Sequence, residues 1–93
     1  MNDKIAEDMV MRYLVYRLNT DIGNILSIST PKILKFFGIT PNNKYYAKYA
    51  IWVNRVLRNM FPEFFKITKT NRYYFYIPKN IAEFRLKLFG YSV

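Results

Sequence analysis

Lys44, Lys48, Arg55 and Arg58 recur along residues 41–60 at spacings of four, seven and three. On a helix of about 3.6 residues per turn they share one side with Ala47 and Ile51. Tyr46, Tyr49, Ala50, Val53, Val56, Leu57 and Met60 fall on the other side, and the stretch contains no acidic residue. One face can dock on a core, and the other offers only cations to whatever it meets. A solvated surface helix also carries charge, but such faces usually mix signs, because opposite charges at i, i+4 stabilise a helix and like charges destabilise it. Here Lys44 and Lys48, and Arg55 and Arg58, repel without local relief. The pattern therefore predicts a basic face that meets an anion.

Covalent and acid–base chemistry have few candidates. The chain has no histidine and no cysteine, which removes the usual general base, the thiolate nucleophile and the commonest metal ligands. No Gly-rich phosphate loop is present, and the acids cluster near the N-terminus rather than in a pair. The expectation is a protein that is not an enzyme and that holds no metal and no cofactor. Tyr73, Tyr74 and Tyr76 could stack on single-stranded bases, although a half-buried hairpin explains them more simply.

The chain has 93 residues, enough for one domain with a modest core, and oligomerisation is a common remedy at this size. Its apolar content of 52% and aromatic content of 19% exclude general disorder. The longest apolar runs fall far short of the ~20 residues that cross a bilayer. The N-terminus also lacks a signal-peptide pattern, so a soluble, cytoplasmic protein is expected. The net charge is +9, and it is unevenly placed: Asp3, Glu7, Asp8 and Asp21 are the early acids, and residues 22–62 contain none. Such a field favours duplex nucleic acid first and an anionic membrane surface second. Lipid is the weaker partner, because the basic helix keeps its aromatic side chains on the core face.

Several elements must position that face. Residues 3–18 predict a helix with Asp3 as its cap, apolar over most of its circumference. Ile5, Ala6, Met9, Val10 and Tyr13 form one stripe; Met11, Leu14, Val15 and Leu18 form a second. The second stripe meets another subunit, or the C-terminal helix covers it. Residues 25–28 predict a short strand. Thr30 and Pro31 open a short helix that Gly38 stops, and Thr40-Pro41 repeats the cap-then-proline start. Phe61 and Pro62 end the long helix. Residues 64–68 and 73–77 then form a hairpin with a polar tip at Lys69, Thr70, Asn71 and Arg72. Asn80 and Glu83 suggest a capping box for a last helix over about 81–89.

The order helix, strand, helix, turn, helix, hairpin, helix, carried by residues 29–40, by Val53, Val56, Leu57 and Met60 and by residues 64–77, resembles the winged helix-turn-helix DNA-binding family. The over-apolar terminal helices are similar to those of PadR-type dimers. The Lys/Ile/Asn/Tyr-rich, cysteine-free composition is similar to that of plasmid and virus proteins of the crenarchaea. The resemblance implies a single α+β domain, a homodimer, double-stranded DNA as ligand, and a role in transcription repression or plasmid partition, the latter with a partition partner protein. It places Asn42, Asn43, Lys44, Ala47 and Lys48 near base edges, with Tyr45 able to donate to a phosphate. Arg55 and Arg58 serve phosphates, as do Thr30 and Lys32 at a helix start. The wing tip, Lys69, Asn71 and Arg72, follows the backbone or the minor groove. Met11, Leu14, Val15, Leu18, Leu86 and Phe89 form the dimer interface. A protein-interaction module with an incidental basic face is the competing expectation.

Overall fold

A computed structural model describes residues 3–70 and 73–93. Two of the expected wing-tip contacts, Asn71 and Arg72, lie outside the described residues. The described chain is α+β, with α1 (Asp3–Thr20), β1 (Ile25–Ile28), α2 (Thr30–Phe36), α3 (Tyr46–Met60), a single 3-10 turn (Pro62–Phe64), β2 (Phe65–Ile67), β3 (Tyr73–Pro78) and α4 (Lys79–Leu88). No helix among the described residues is long and apolar enough to cross a membrane.

The three strands form one antiparallel sheet in the order β1-β3-β2. Phe75 is paired with Ile28 on one side and Phe65 on the other, and Ile77 with Leu26. Because side chains alternate along a strand, Leu26, Ile28, Phe75 and Ile77 enter the core together. Ser27, Lys66, Tyr74 and Tyr76 take the opposite face. Phe65, Ile67, Tyr73, Phe75 and Ile77 alternate onto one face of the hairpin, which is buried only at its base. Towards the tip Ile67 and Tyr73 are exposed.

α1 is buried on both sides by its own chain. Met11 and Leu14, expected at a subunit contact, have no exposed surface, and neither has Leu86 of α4. All three are core residues, because α1 packs against α2, α3 and α4 within the protomer. Val15 and Leu18 pack partly against the same core, whereas Phe89 is half exposed. Phe36 seats its ring on Tyr13 and Tyr16, at centroid distances of 5.3 and 4.8 Å, and so fixes α2 on α1.

Three helix starts differ from expectation. Ser29, not Thr30, is the residue before α2. α4 begins directly after Pro78, and Glu83 pairs with Lys87 at 3.3 Å instead of closing a capping box. The largest difference is at α3, which begins at Tyr46 and not at Pro41. The Asn43 Oδ1 accepts the Tyr45 N–H at 2.8 Å, and the Tyr46 N–H donates to the Asn43 carbonyl at 3.0 Å. Asn side chains stabilise turns in this way and compete with the helix. At the other end of the connection Gly38 has φ +76°, and Ile39 donates to the Leu34 carbonyl at 2.9 Å. That left-handed glycine closes α2.

Two arginines hold the helices to the rest. Arg17 donates to both Asp21 oxygens, to the Tyr13 hydroxyl at 2.7 Å and to the Ser27 carbonyl at 3.0 Å, tying α1 to β1. Lys79 Nζ also donates to the Asp21 carbonyl. Arg85 donates to the Met60 carbonyl at 2.5 Å and to both Glu63 oxygens, at 2.8 and 2.6 Å, while its guanidinium lies over Phe61 and Phe64. It thereby fixes the C-terminal end of α3. Arg17 holds the Asp21 carboxyl below its usual value, and Arg85, helped by a backbone hydrogen bond, lowers Glu63 from 4.5 to about 2. A carboxylate with a depressed folded-state pKa stabilises above its unfolded pKa and loses that stability as pH falls. Unfolding midpoints in urea should therefore drop between about pH 5 and pH 2. Glu63→Gln should flatten that fall; an unchanged pH profile would count against the clamp.

Candidate nucleic-acid interface

α3 presents Ala47, Lys48, Ile51, Arg55 and Arg58 to solvent, and buries Val53, Val56, Leu57 and Met60. Trp52 is partly buried and meets Tyr49 edge-on at 5.7 Å, so it packs. Asn42, Asn43, Lys44 and Tyr45 are all exposed, but on the connection before α3 rather than on its first turns. Asn43 has already committed its amide oxygen to the turn. Lys44 lies over the Tyr45 ring, 5.0 Å from its centroid.

The two arginines of α3 are held differently. Arg55 approaches Asp3 of α1 at 3.5 Å, an exposed pair that offsets part of its charge. This supplies, from α1, the relief that the α3 sequence lacks. Arg58 sits 4.6 Å from the centroid of Phe65, which ties α3 to the first hairpin strand. Lys32 on α2 is exposed, with its Nζ 6.0 Å from the Tyr74 ring centroid. Thr30 departs from expectation: its hydroxyl oxygen is buried without a hydrogen-bond partner, so it does not face a phosphate in solvent. Burying an unpaired hydroxyl costs about 1–3 kcal/mol. Thr30→Val should therefore raise stability by about 1 kcal/mol in denaturant titrations and leave DNA affinity unchanged. A fall in affinity would restore the hydroxyl as a contact.

The ion pairs sort the charge. Among the described residues, Arg55–Asp3, Arg12–Asp8, Arg17–Asp21, Arg85–Glu63 and Lys87–Glu83 engage every acid except Glu7. Lys32, Lys35, Lys44, Lys48, Arg58, Lys66 and Lys69 take part in no ion pair among the described residues. They lie on α2, the connection, α3 and the hairpin. Lys4 on α1 and Lys79 at the start of α4 are likewise in no ion pair among the described residues, Lys79 donating instead to the Asp21 carbonyl. Pairing thus neutralises mainly α1 and α4, and of the nine described cations without an ion pair seven lie on the helix–connection–helix–hairpin half.

Comparison of the chain with protein-family models, curated proteins and solved structures finds no match.

Two clefts flank α3. One, of about 560 Å³, runs past Ile51, Arg55, Arg58 and Phe65. The other, of about 710 Å³, lies between the start of α2, α3 and the hairpin, with Lys32, Tyr46, Tyr73 and Tyr74 on its walls. Asn54 lines both, its amide oxygen buried and unpaired. Among the described residues no group of His, Cys, Asp or Glu could hold a metal ion. Sequence reasoning did not find Lys35, Lys66 or Asn54 as parts of this surface. The first two needed the knowledge that other cations are neutralised by acids far away in sequence.

Proposed function

We propose that the protein is a winged helix-turn-helix protein that binds duplex DNA as a homodimer, with α3 in the major groove and the hairpin as the wing. The observation that carries this proposal is the collection of unpaired cations on α2, the connection into α3, α3 and the hairpin. A three-stranded antiparallel sheet beside α2 and α3 is compatible with a winged-helix layout. The long connection departs from the tight turn usual between such helices. It changes which residues approach bases: Ala47 and Lys48 do so from the first turn of α3, and Asn42, Asn43 and Lys44 from the loop that leads into it. Lys32, Arg58 and Lys69 serve the backbone.

Dimerisation in this proposal uses the exposed apolar stripe of α4, Phe84 and Leu88 with Phe89, which are 63%, 68% and 48% exposed. Two copies would then place their α3 helices in successive major grooves, about 34 Å apart. Repression of transcription and binding of a plasmid partition site, with a partition partner protein, make the same physical demands on this surface. The test is to recover the DNA fragments that the protein retains from its own genome and to measure their affinity across a salt series. A palindromic or repeated site, bound with a steep negative salt slope, is expected. Absence of any bound fragment at low salt would overturn the proposal.

A further inference from the structure

The sheet has a second face that the proposed duplex contact does not use. Tyr74 and Tyr76 stand there two residues apart on β3, so both rings project to the same side. Their rings are nearly parallel, 20° apart in plane, with centroids separated by 6.2 Å. Tyr76 is 45% exposed although it occupies a central strand, and its register partner is only Ser27. Core packing does not account for the Tyr76 ring, because the residues that fill the core are Phe75 and Ile77 on the opposite face; Tyr74 beside it is partly buried. Cations border the pair: Lys66 is the register partner of Tyr74, and Lys32 approaches the Tyr74 ring from α2. Neither lysine is in an ion pair among the described residues, and no acid lies on any of the three strands.

We propose that Tyr74 and Tyr76, with Lys32 and Lys66, form a stacking platform for single-stranded nucleic acid. Exposed aromatic rings on a sheet offer a π-face to any base, and neighbouring cations hold the phosphates that join successive bases. Two parallel rings on alternate residues receive two consecutive bases, one on each. Tyr74 also lines the cleft between α2, α3 and the hairpin, together with Lys32, so a strand on the platform can continue along Lys32. A protein partner has no comparable need for unpaired lysines beside the rings, and the absence of strand acids favours a polyanion. The platform rests on the two rings of β3 and shares only Lys32 with the duplex-binding proposal, whose base-reading residues lie on α3 and the connection before it.

The test is fluorescence anisotropy with a labelled oligothymidine and, separately, the duplex site, on the full chain. The protein should bind oligothymidine at low salt, and Tyr76→Ala should weaken that binding about tenfold. Tyr76→Phe should restore it, because stacking needs the ring and not the hydroxyl. Lys48→Ala should leave oligothymidine binding unchanged while weakening the duplex, so failure of one proposal is separable from failure of the other. Thermal melts of the Tyr76 variants establish that they are folded. The platform is overturned if oligothymidine does not bind, if Tyr76→Ala binds it like the wild type, or if Tyr76→Phe is as weak as the alanine variant. Binding to vesicles containing an anionic phospholipid, with none to oligothymidine, would assign the face to a membrane surface instead.

Discussion

Lys48→Ala is expected to lower affinity for the duplex site about tenfold or more and to change which base is preferred at one position. Arg58→Ala is expected to weaken all duplexes alike and to flatten the salt slope by about one unit. The difference follows from position. Lys48 is exposed in the first turn of α3, beside the connection, where a side chain in the major groove meets base edges. Arg58 is in the last turn, anchored on Phe65, where in the proposed docking the helix has left the groove floor and only backbone is in range. Arg55→Ala should cost less than either, because Asp3 already offsets its charge. Asp3→Ala should correspondingly raise affinity slightly at low salt. Anisotropy titrations between about 50 and 200 mM salt measure all four. Equal losses and an unchanged base preference for Lys48 and Arg58 would remove α3 from the groove.

Most of the fold was legible because its cues are local. The short strand at residues 25–28, the apolar stripe of α3 and the hairpin follow from side-chain period, and Gly38 ends α2 where the sequence places it. The start of α3 was not legible. Thr40-Pro41 is a good cap-and-proline start, yet the Asn43 side chain captures the Tyr45 N–H and delays the helix to Tyr46. Two competing local preferences were present, and the tertiary structure selected one. The burial of Met11 and Leu14 was undecidable from α1 alone, since a partner subunit and the rest of the same chain satisfy an apolar stripe equally well. The charge of the candidate interface was legible in sum but not in detail. That Asp3 meets Arg55 and Glu63 meets Arg85 depends on contacts between residues far apart in the chain, which periodicity does not encode. The tyrosines of β3 show the same limit: alternation says that Tyr74 and Tyr76 share a face, and only the packed sheet shows which face is open.

Phe75→Ala is expected to destabilise the fold by about 3–5 kcal/mol. Phe75 has no exposed surface, and it is the residue at which all three strands meet, paired with Ile28 in β1 and with Phe65 in β2. Its ring also lies 5.5 Å from that of Phe65. Truncation removes the ring's buried area and leaves a cavity between sheet and helices that neither neighbouring strand can fill without losing register. A domain of this length has a total stability of roughly 5–14 kcal/mol, so the loss is a large share of the whole. Urea titration should show a lower midpoint with an unchanged slope, since the native surface is otherwise the same. Tyr76→Ala, one residue away on the open face, should change stability by only about 0.5 kcal/mol. That contrast separates the two faces of β3: one holds the molecule together, and the other is free to bind. Comparable losses for the two variants would mean that Tyr76 is a packing residue, and the platform assigned to it would fall with that result.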